Sequence, residues 1–386
     1  MIDVYFRCFM CEYLPLKLVV PNFESNLTDL IVDLDRLRRM RLEESTDTTM
    51  FFELKNLFHM LESIGSARIE GNHTTIIQYV EEKISERSHK EESIAEIVNV
   101  EQAMRFIEEN IRDVRIDTLL IRKLHEMTVC QLSPNREGDH NPGQFRLGEV
   151  SVGKHIPPKA GDVPALVQEL VDWINHEDRP KYDLLKIAIA HHRFEWIHPF
   201  SNGNGRTGRL LTYALLLKKM LCENDTHRIL NPTAIFCSDR NAYYQMLDVA
   251  DRGTDEAMLE WCEYVLSGLK DEIMKLDRLL DYTFLKKNIL HPAVKMALED
   301  RTIDETEFRT IELAIEKQKI QNADISDLFP RKSPATISRL IANLKEKRLL
   351  EGETNTSRKY HVRIRDSVLL RGVIKQLDNH GFISFE

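Results

Sequence analysis

Leu184-Leu-Lys-Ile-Ala-Ile-Ala-His-His-Arg-Phe-Glu-Trp-Ile197 runs directly into His198-Pro-Phe-Ser-Asn-Gly-Asn-Gly-Arg-Thr-Gly-Arg209. The first segment reads as a strongly apolar helix. Pro199 pushes the residue before it out of helical geometry, so His198 is expected on a turn at the helix end. Gly203, Asn204 and Gly205 tolerate left-handed backbone, and Arg206 then opens a second amphipathic helix. A glycine-rich turn feeding a helix N-terminus aims backbone N–H groups at one point, and the helix dipole adds positive potential there. Phosphate binds such a point. Arg206 and Arg209 are three apart, hence on one helix face, and their forked donors suit phosphate oxygens. The candidates are therefore His198 as general base, and Gly203, Asn204, Gly205, Arg206, Thr207, Gly208 and Arg209 for phosphate. A plain helix–turn–helix link with surface arginines does not account for so many special residues at fixed spacing.

Outward from this loop the helical signal dominates. Leu27, Leu30, Ile31, Leu34, Leu37 make one stripe, Leu54, Leu57, Phe58, Leu61 another, and Ile97, Val100, Met104, Ile107 a third. Leu119 to Met127 and Val163 to Ile174 add two more helices. The exception is Asn141 to Ala160, NPGQFRLGEVSVGKHIPPKA. Val150 and Val152 alternate with polar neighbours as in a short hairpin, and Pro157-Pro158 excludes a helix. A stretch this long without helix suits a functional flap.

The 386 residues, 42% hydrophobic and 30% charged, describe an ordinary soluble chain of two or three domains. A net charge of −9 excludes a protein that coats nucleic acid or anionic membrane with its whole surface. No apolar run approaches the roughly 18 residues of a membrane span. The start, MIDVYFRCFMCEYLPLKLVV, is broken by Asp3, Arg7, Glu12 and Lys17 and has no small-residue cleavage site, so it reads as mature sequence of a cytoplasmic protein. Six cysteines make no disulfide scaffold; Cys8 and Cys11 form a lone C-x-x-C, and Cys130, Cys222, Cys237 and Cys262 read as small core residues. His191 and His192 are adjacent and cannot share a face, and no paired Cys/His spacing for a transition metal occurs. Trp173, Trp196 and Trp261 read as core anchors.

The segment His198 to Arg209 resembles the signature of the Fic family (filamentation induced by cAMP), H-x-F-x-(D/E)-G-N-G-R-x-x-R, with Asn202 where the family has an acidic residue. The resemblance covers about residues 20 to 270. It implies a protein adenylyltransferase that moves AMP from ATP, with Mg2+, to a Ser, Thr or Tyr hydroxyl of a target protein. His198 would then be the base, Arg206 would hold the β-phosphate and Arg209 the γ. In the family, position 202 helps hold magnesium; an asparagine offers a neutral oxygen in place of a carboxylate. Gly143-Gln-Phe-Arg146 and His155-Ile-Pro-Pro158 look like the target-docking flap, with Ser151, Val152, Gly153 and Lys154 at its tip. Arg240-Asn-Ala-Tyr-Tyr244 looks like the nucleotide-side helix, placing Tyr243 and Tyr244 at the adenine. Ser66-Ala-Arg-Ile-Glu70-Gly71 fits the inhibitory pattern (S/T)-x-x-x-E-(G/N), in which Glu70 pairs with Arg209 in place of the γ-phosphate. Some relatives use the same glutamate to remove AMP.

From about residue 304 the expected order is helix (Glu305 to Lys319), short helix (Ala323 to Leu328), helix opened by Ser333-Pro334, then a hairpin from Leu349 to Ile364 turned at Gly352 and Asn355. This resembles a winged helix-turn-helix. Arg331 to Arg365 carries ten Lys and Arg against three Glu, a basic patch on an acidic chain that suits DNA, with protein docking as the alternative. The expected fold is mainly α: residues 1–90 an N-terminal inhibitory region, 91–270 a Fic core with a β-hairpin flap, 271–303 a helical connector, and 304–386 the winged-helix domain. Rival functions are transfer of another nucleotide-derived group and a nucleotide-sensing DNA-binding regulator. A homodimer is plausible for so modular a chain.

Overall fold

The computed structural model describes residues 14–39, 46–84, 91–220, 233–237, 239–352 and 358–383. Cys8, Cys11, Cys222 and Asn355 lie outside the described residues. In chain order the helices are α1 (Asn26–Arg39), α2 (Thr48–Ile69), α3 (Ile76–Ile84), α4 (Glu92–Asn110), α5 (Thr118–Thr128), α6 (Val163–Asn175), α7 (Asp183–Ile197), α8 (Asn204–Met220), α9 (Thr233–Cys237), α10 (Arg240–Ala250) and α11 (Asp255–Leu279). Then come α12 (Tyr282–Leu285), a π-helical turn over Lys286–Leu290, α13 (His291–Glu299) and α14 (Glu305–Lys317). The last elements are β1 (Ile320–Gln321), α15 (Asn322–Leu328), α16 (Pro334–Glu346), β2 (Leu350–Gly352), β3 (Lys359–Val362) and α17 (Leu369–Asn379). Mainly helical architecture is what the stripes require.

The apolar stripe of α7 continues around the helix, and its residues are buried from Asp183 through Phe194. A helix apolar all round belongs in the middle of a core. There α7 meets α8, α6 and α11, and Trp261 of α11 donates its indole N–H to the Ala188 carbonyl at 2.8 Å. These helices, with α1, α4, α5 and α10, share one hydrophobic core.

A second core does not follow chain order. It joins Met50, Phe51, Leu54, Leu57, Phe58 and Leu61 of α2 to α3, to the end of α11, and to the elements from α12 through α17. Polar contacts reinforce the join. The Glu53 carboxylate accepts the backbone N–H groups of Ile364 and Arg365 at 2.8 and 2.9 Å, and Lys319 pairs with Asp47 at 2.8 Å. Most of the apolar residues of α2 thus share a core with the C-terminal elements, while Ile69 at its far end belongs to the first core.

In the C-terminal elements β1, β3 and β2 form an antiparallel sheet in that spatial order, with Ile320 opposite Tyr360 and Leu350 opposite Val362. Asp304 and Glu307 form a reciprocal capping box at the start of α14. Ser333 caps α16 ahead of Pro334, and Ile337, Ile341 and Leu344 bury one face of that helix. Helix α14 ends two residues before the expected Lys319, where Gln318 turns to φ +61°. Among the described residues no helix is long and apolar enough to cross a membrane.

Candidate active site

Helix α7 stops where Pro199 demands, and His198 takes left-handed backbone, φ 47° and ψ 63°, while its amide still donates to the Phe194 carbonyl at 3.0 Å. A non-glycine residue persists there only when its surroundings over-determine it. Arg146 supplies that constraint. Its buried guanidinium donates to the carbonyls of His198 (2.8 Å), Ile197 (3.4 Å), Gly148 (3.1 Å) and Pro158, and its amide donates to the Pro199 carbonyl at 2.9 Å. The His198 ring hydrogen-bonds the Glu195 carbonyl, and burial, acting against the charge of Glu70, holds its pKa down to about 4. At neutral pH it is a neutral imidazole, able to take a proton.

The loop after His198 is tightly cross-braced. Asn204 accepts from the Phe200 amide (2.8 Å) and donates back to the Phe200 carbonyl (2.9 Å). His125 stacks on the Phe200 ring at 3.7 Å. Its Nδ1 accepts from the Gly143 amide at 2.9 Å, so Nε2 donates to the Asn202 carbonyl at 3.0 Å. Gly203 sits at φ +72° with Val129 where a Cβ would go. The Thr207 hydroxyl turns back onto the Gly203 carbonyl at 2.8 Å. Gly205 and Gly208 leave room for acids: a Cβ at Gly205 would lie 2.1 Å from Glu70 Oε1, and one at Gly208 2.1 Å from Glu195 Oε1.

Ser66 and Glu70, at the end of α2, meet Arg209. Its Nε donates to Ser66 Oγ (2.9 Å), and its Nη2 to the Ser66 carbonyl (2.9 Å) and to Glu70 Oε1 (2.6 Å). Burial alone would raise the Glu70 pKa; the charge and hydrogen bond of Arg209, helped by Arg206 and His198, overcome it and hold the carboxyl below its usual value. Gly71, at φ +107°, ends the helix immediately afterwards. Glu70 therefore stands over the first turn of α8, the point at which the glycine-rich loop presents its amides.

Arg206 goes elsewhere. Its buried guanidinium pairs with Glu96 (2.9 Å) and with the carboxylate (3.1 Å) and carbonyl (2.8 Å) of Glu137. The three-residue spacing puts both arginines on one face of α8, yet their partners draw the two guanidinium groups apart. Arg209, Glu70, His198 and Gly205 line a cavity of about 460 Å³; Arg206 is not among its lining residues.

The far wall of that cavity is α10. Tyr243 is a core ring, its hydroxyl 2.9 Å from His191 Nε2. Tyr244 is 37% exposed, with Arg240 over its face at 5.4 Å. The near wall is the flap tip, Val152, Gly153 and Lys154, with exposed Ser151 before it. The expected hairpin is reduced to one isolated bridge, Val152 with His155, because Gly153 turns at φ +58° and Pro157-Pro158 follows too soon for further pairing. His155 pins the flap: it lies 2.8 Å from Asp251 and 3.0 Å from the Trp196 carbonyl, and Asp251 also meets His192 at 2.8 Å. The anchoring roles of Arg146 and His155–Asp251 carry no spacing signal in the sequence. Glu195 did carry one, as an acid inside the apolar run of α7.

Asn202 does not fit the role of a magnesium ligand. Its Oδ1 accepts from the Gly203 amide at 2.7 Å, and its Nδ2 donates to the carbonyls of Arg136 (2.7 Å) and Gly138 (3.2 Å). A carboxylate could not make the last two bonds. Among the described residues, the one cluster with cation-ligand spacing is Glu53, Glu351 and His361, distant in chain from this loop, and Arg365 lies 3.3 Å from both of its carboxylates.

The model of the Fic/DOC family matches residues 115–216, a span that contains His198, the cradle and Arg209. The chain carries a Fic domain. Curated proteins named protein adenylyltransferase Fic align with it: one from Drosophila willistoni is 32% identical over 200 residues, covering 50% of this chain and 37% of that protein. Another, from Drosophila virilis, is 30% identical over 241 residues, covering 58% of this chain and 46% of its own length. The chain thus spans less than half the length of these relatives. In fold, it is similar to a Fic family protein from Desulfovibrio desulfuricans G20 (TM-score 0.54, 20% identity, 91% of this chain and 98% of that one). Fic-1 residues 134–508 from C. elegans superimposes with TM-score 0.51 at 21% identity, covering 65% of this chain and 71% of that one.

Proposed function

We propose that the Fic domain transfers AMP from ATP to a Ser, Thr or Tyr hydroxyl of a target protein, and that Glu70 restrains it. The observation that carries this reading is the occupied cradle: a carboxylate stands over Gly205 and is bound to Arg209, in the same cavity as a neutral imidazole. An anion site filled by an internal acid suits an enzyme held off until a triphosphate takes the place of that acid. The target O–H gives its proton to His198, its oxygen attacks the α-phosphorus, and the bond to the bridging oxygen breaks to release pyrophosphate. Loop amides and Arg209 stabilise the phosphate charge. Mg2+ enters as part of the ATP substrate, and Asn202 acts as a loop brace. The exposed flap tip would clamp target backbone as an added strand.

The test is transfer of label from α-labelled ATP. Wild type labels itself or a lysate protein weakly, Glu70→Gly strongly, and His198→Ala not at all. Full labelling by His198→Ala would sink the mechanism. The added mass separates AMP from UMP, phosphate or phosphocholine, and loss of pre-formed AMP would reveal removal by the same site.

The C-terminal order, helix–strand–helix–helix–strand–strand with sheet order β1-β3-β2, supports reading that unit as a winged helix, and the chain as an inhibitory region, a Fic core, a connector and this module. Three of its ten cations are paired with acids: Lys347 with Glu307, Arg363 with Asp366, Arg365 with Glu53. This favours protein docking, a second copy of the chain included, over DNA. Salt-dependent binding of a DNA duplex at low ionic strength would reverse that preference.

A further inference from the structure

Two residues that line the Fic cavity each carry a buried polar atom with no hydrogen-bond partner in the protein: Arg209 at Nη1 and Glu195 at Oε1. A phosphate accounts for the first. Glu195 has no part in the reaction as written. It lies in the last turn of α7, and its carboxyl presses against the α8 backbone at Gly208, where any larger residue would collide with it. Gly205 and Gly208 lie on one face of α8, so Glu70 and Glu195 stand side by side along it. Native structures rarely leave such an atom unmet, and one left so calls for a functional or structural reason.

The groups that act on Glu195 come from every surrounding element. Burial is the largest influence and raises its pKa; Arg209 of α8 lowers it, Glu70 of α2 raises it, and His155 of the flap lowers it. Tyr243 of α10 is also within electrostatic reach. The outcome is a carboxyl pushed up to about 8, and so carrying its proton at neutral pH. An ionised carboxylate here would repel a triphosphate. A protonated one offers it a donor.

We propose that Glu195 is a nucleotide-contacting residue, whose neutral carboxyl donates a hydrogen bond to an acceptor atom of ATP, either a base nitrogen or a phosphate oxygen. This rests on reading the cavity as an ATP site, and it adds a specificity determinant to that site. In the complex the phosphates take over from Glu70 the role of a negative neighbour, so the proton is kept when the brake leaves.

The experiment measures ATP binding by calorimetry on the full chain carrying Glu70→Gly, with Glu195 intact, Glu195→Gln or Glu195→Leu. Glutamine keeps an uncharged donor and should bind within about twofold of the parent. Leucine keeps the bulk without the donor and should bind roughly tenfold more weakly. Raising the pH from neutrality should weaken the parent progressively as the acid ionises, and leave the glutamine variant flat relative to it. Inorganic triphosphate separates the sources: loss of affinity by the leucine variant for ATP but not triphosphate assigns the base, and equal losses assign a phosphate. Thermal melting confirms that each variant is folded; if the leucine variant is not, the pH comparison between parent and glutamine variant decides alone. A leucine variant that binds ATP like the parent, or a glutamine variant with the same pH profile as the parent, overturns the proposal. Failure of the Glu70→Gly parent itself to bind ATP would instead remove the adenylyltransferase reading.

Discussion

The two ends of α2 are held in opposite ways. At the C-terminal end, Ser66 and Glu70 grip Arg209 through charge and hydrogen bonds, in a cavity wide enough for a ligand to compete. Toward the other end Leu54 and Phe58 are fully buried in the cluster that runs on into the C-terminal elements, and Glu53 accepts two of their backbone amides. A polar contact facing a cavity can be exchanged for a substrate; an apolar one can only be lost. One helix therefore couples a replaceable contact to a permanent anchor, as an inhibitory element requires if it is to let go without unfolding.

The largest expected effect attacks the anchor. Phe58→Ala should cost about 3–5 kcal/mol in a denaturant melt, since the cavity left cannot collapse freely. A loss under about 1 kcal/mol would mean that this end is loosely packed. Glu53→Ala should cost less, about 1–3 kcal/mol, because it strands the amides of Ile364 and Arg365. It should raise labelling by less than Glu70→Gly does; an equal rise would mean that the anchor transmits to the brake. Glu70→Gly should raise labelling roughly tenfold or more, equivalent to about 1.4 kcal/mol, with little change in the melt. A large drop in its melting temperature would make Glu70 a structural residue in place of a brake.

The smallest effect is in pH, and its sign differs between the ends. Glu53 is raised above the ordinary 4.5 by burial, so its ionised form weakens the fold, and acidification from neutrality toward that value should add stability. Glu70 is held below 4.5, so its contribution persists down to that value and is lost only as pH falls further. Melts of wild type, Glu53→Gln and Glu70→Gln taken from pH 7 to well below 4 should show the first variant lacking the gain and the second lacking the late loss.

The site is legible where residue identity dictates backbone: Pro199 and the Gly203–Gly205 run locate the turn. The pairing of Glu70 with Arg209 is implied by the resemblance of Ser66–Gly71 to the inhibitory pattern, and the part Ser66 takes in it is not. The site is illegible where partners decide. Spacing put Arg206 beside Arg209, but Glu96 and Glu137, far away in sequence, draw it off. Likewise, the stripe Leu54, Leu57, Phe58, Leu61 announces a buried face without saying what covers it, and the cover is α4 and α9 together with a cluster that extends to residues beyond 275. Alternation at Val150 and Val152 suggested a hairpin, whereas only one bridge survives the prolines.

The divided allegiance of α2 has a practical consequence. A fragment that ends before residue 275 would strip the second core of most of its members and open part of the cluster that holds Met50, Leu54 and Leu57 to water, inviting aggregation. The Ser66–Glu70 contact is therefore no detachable cassette, and moving it into another scaffold would mean carrying its C-terminal counterweight along.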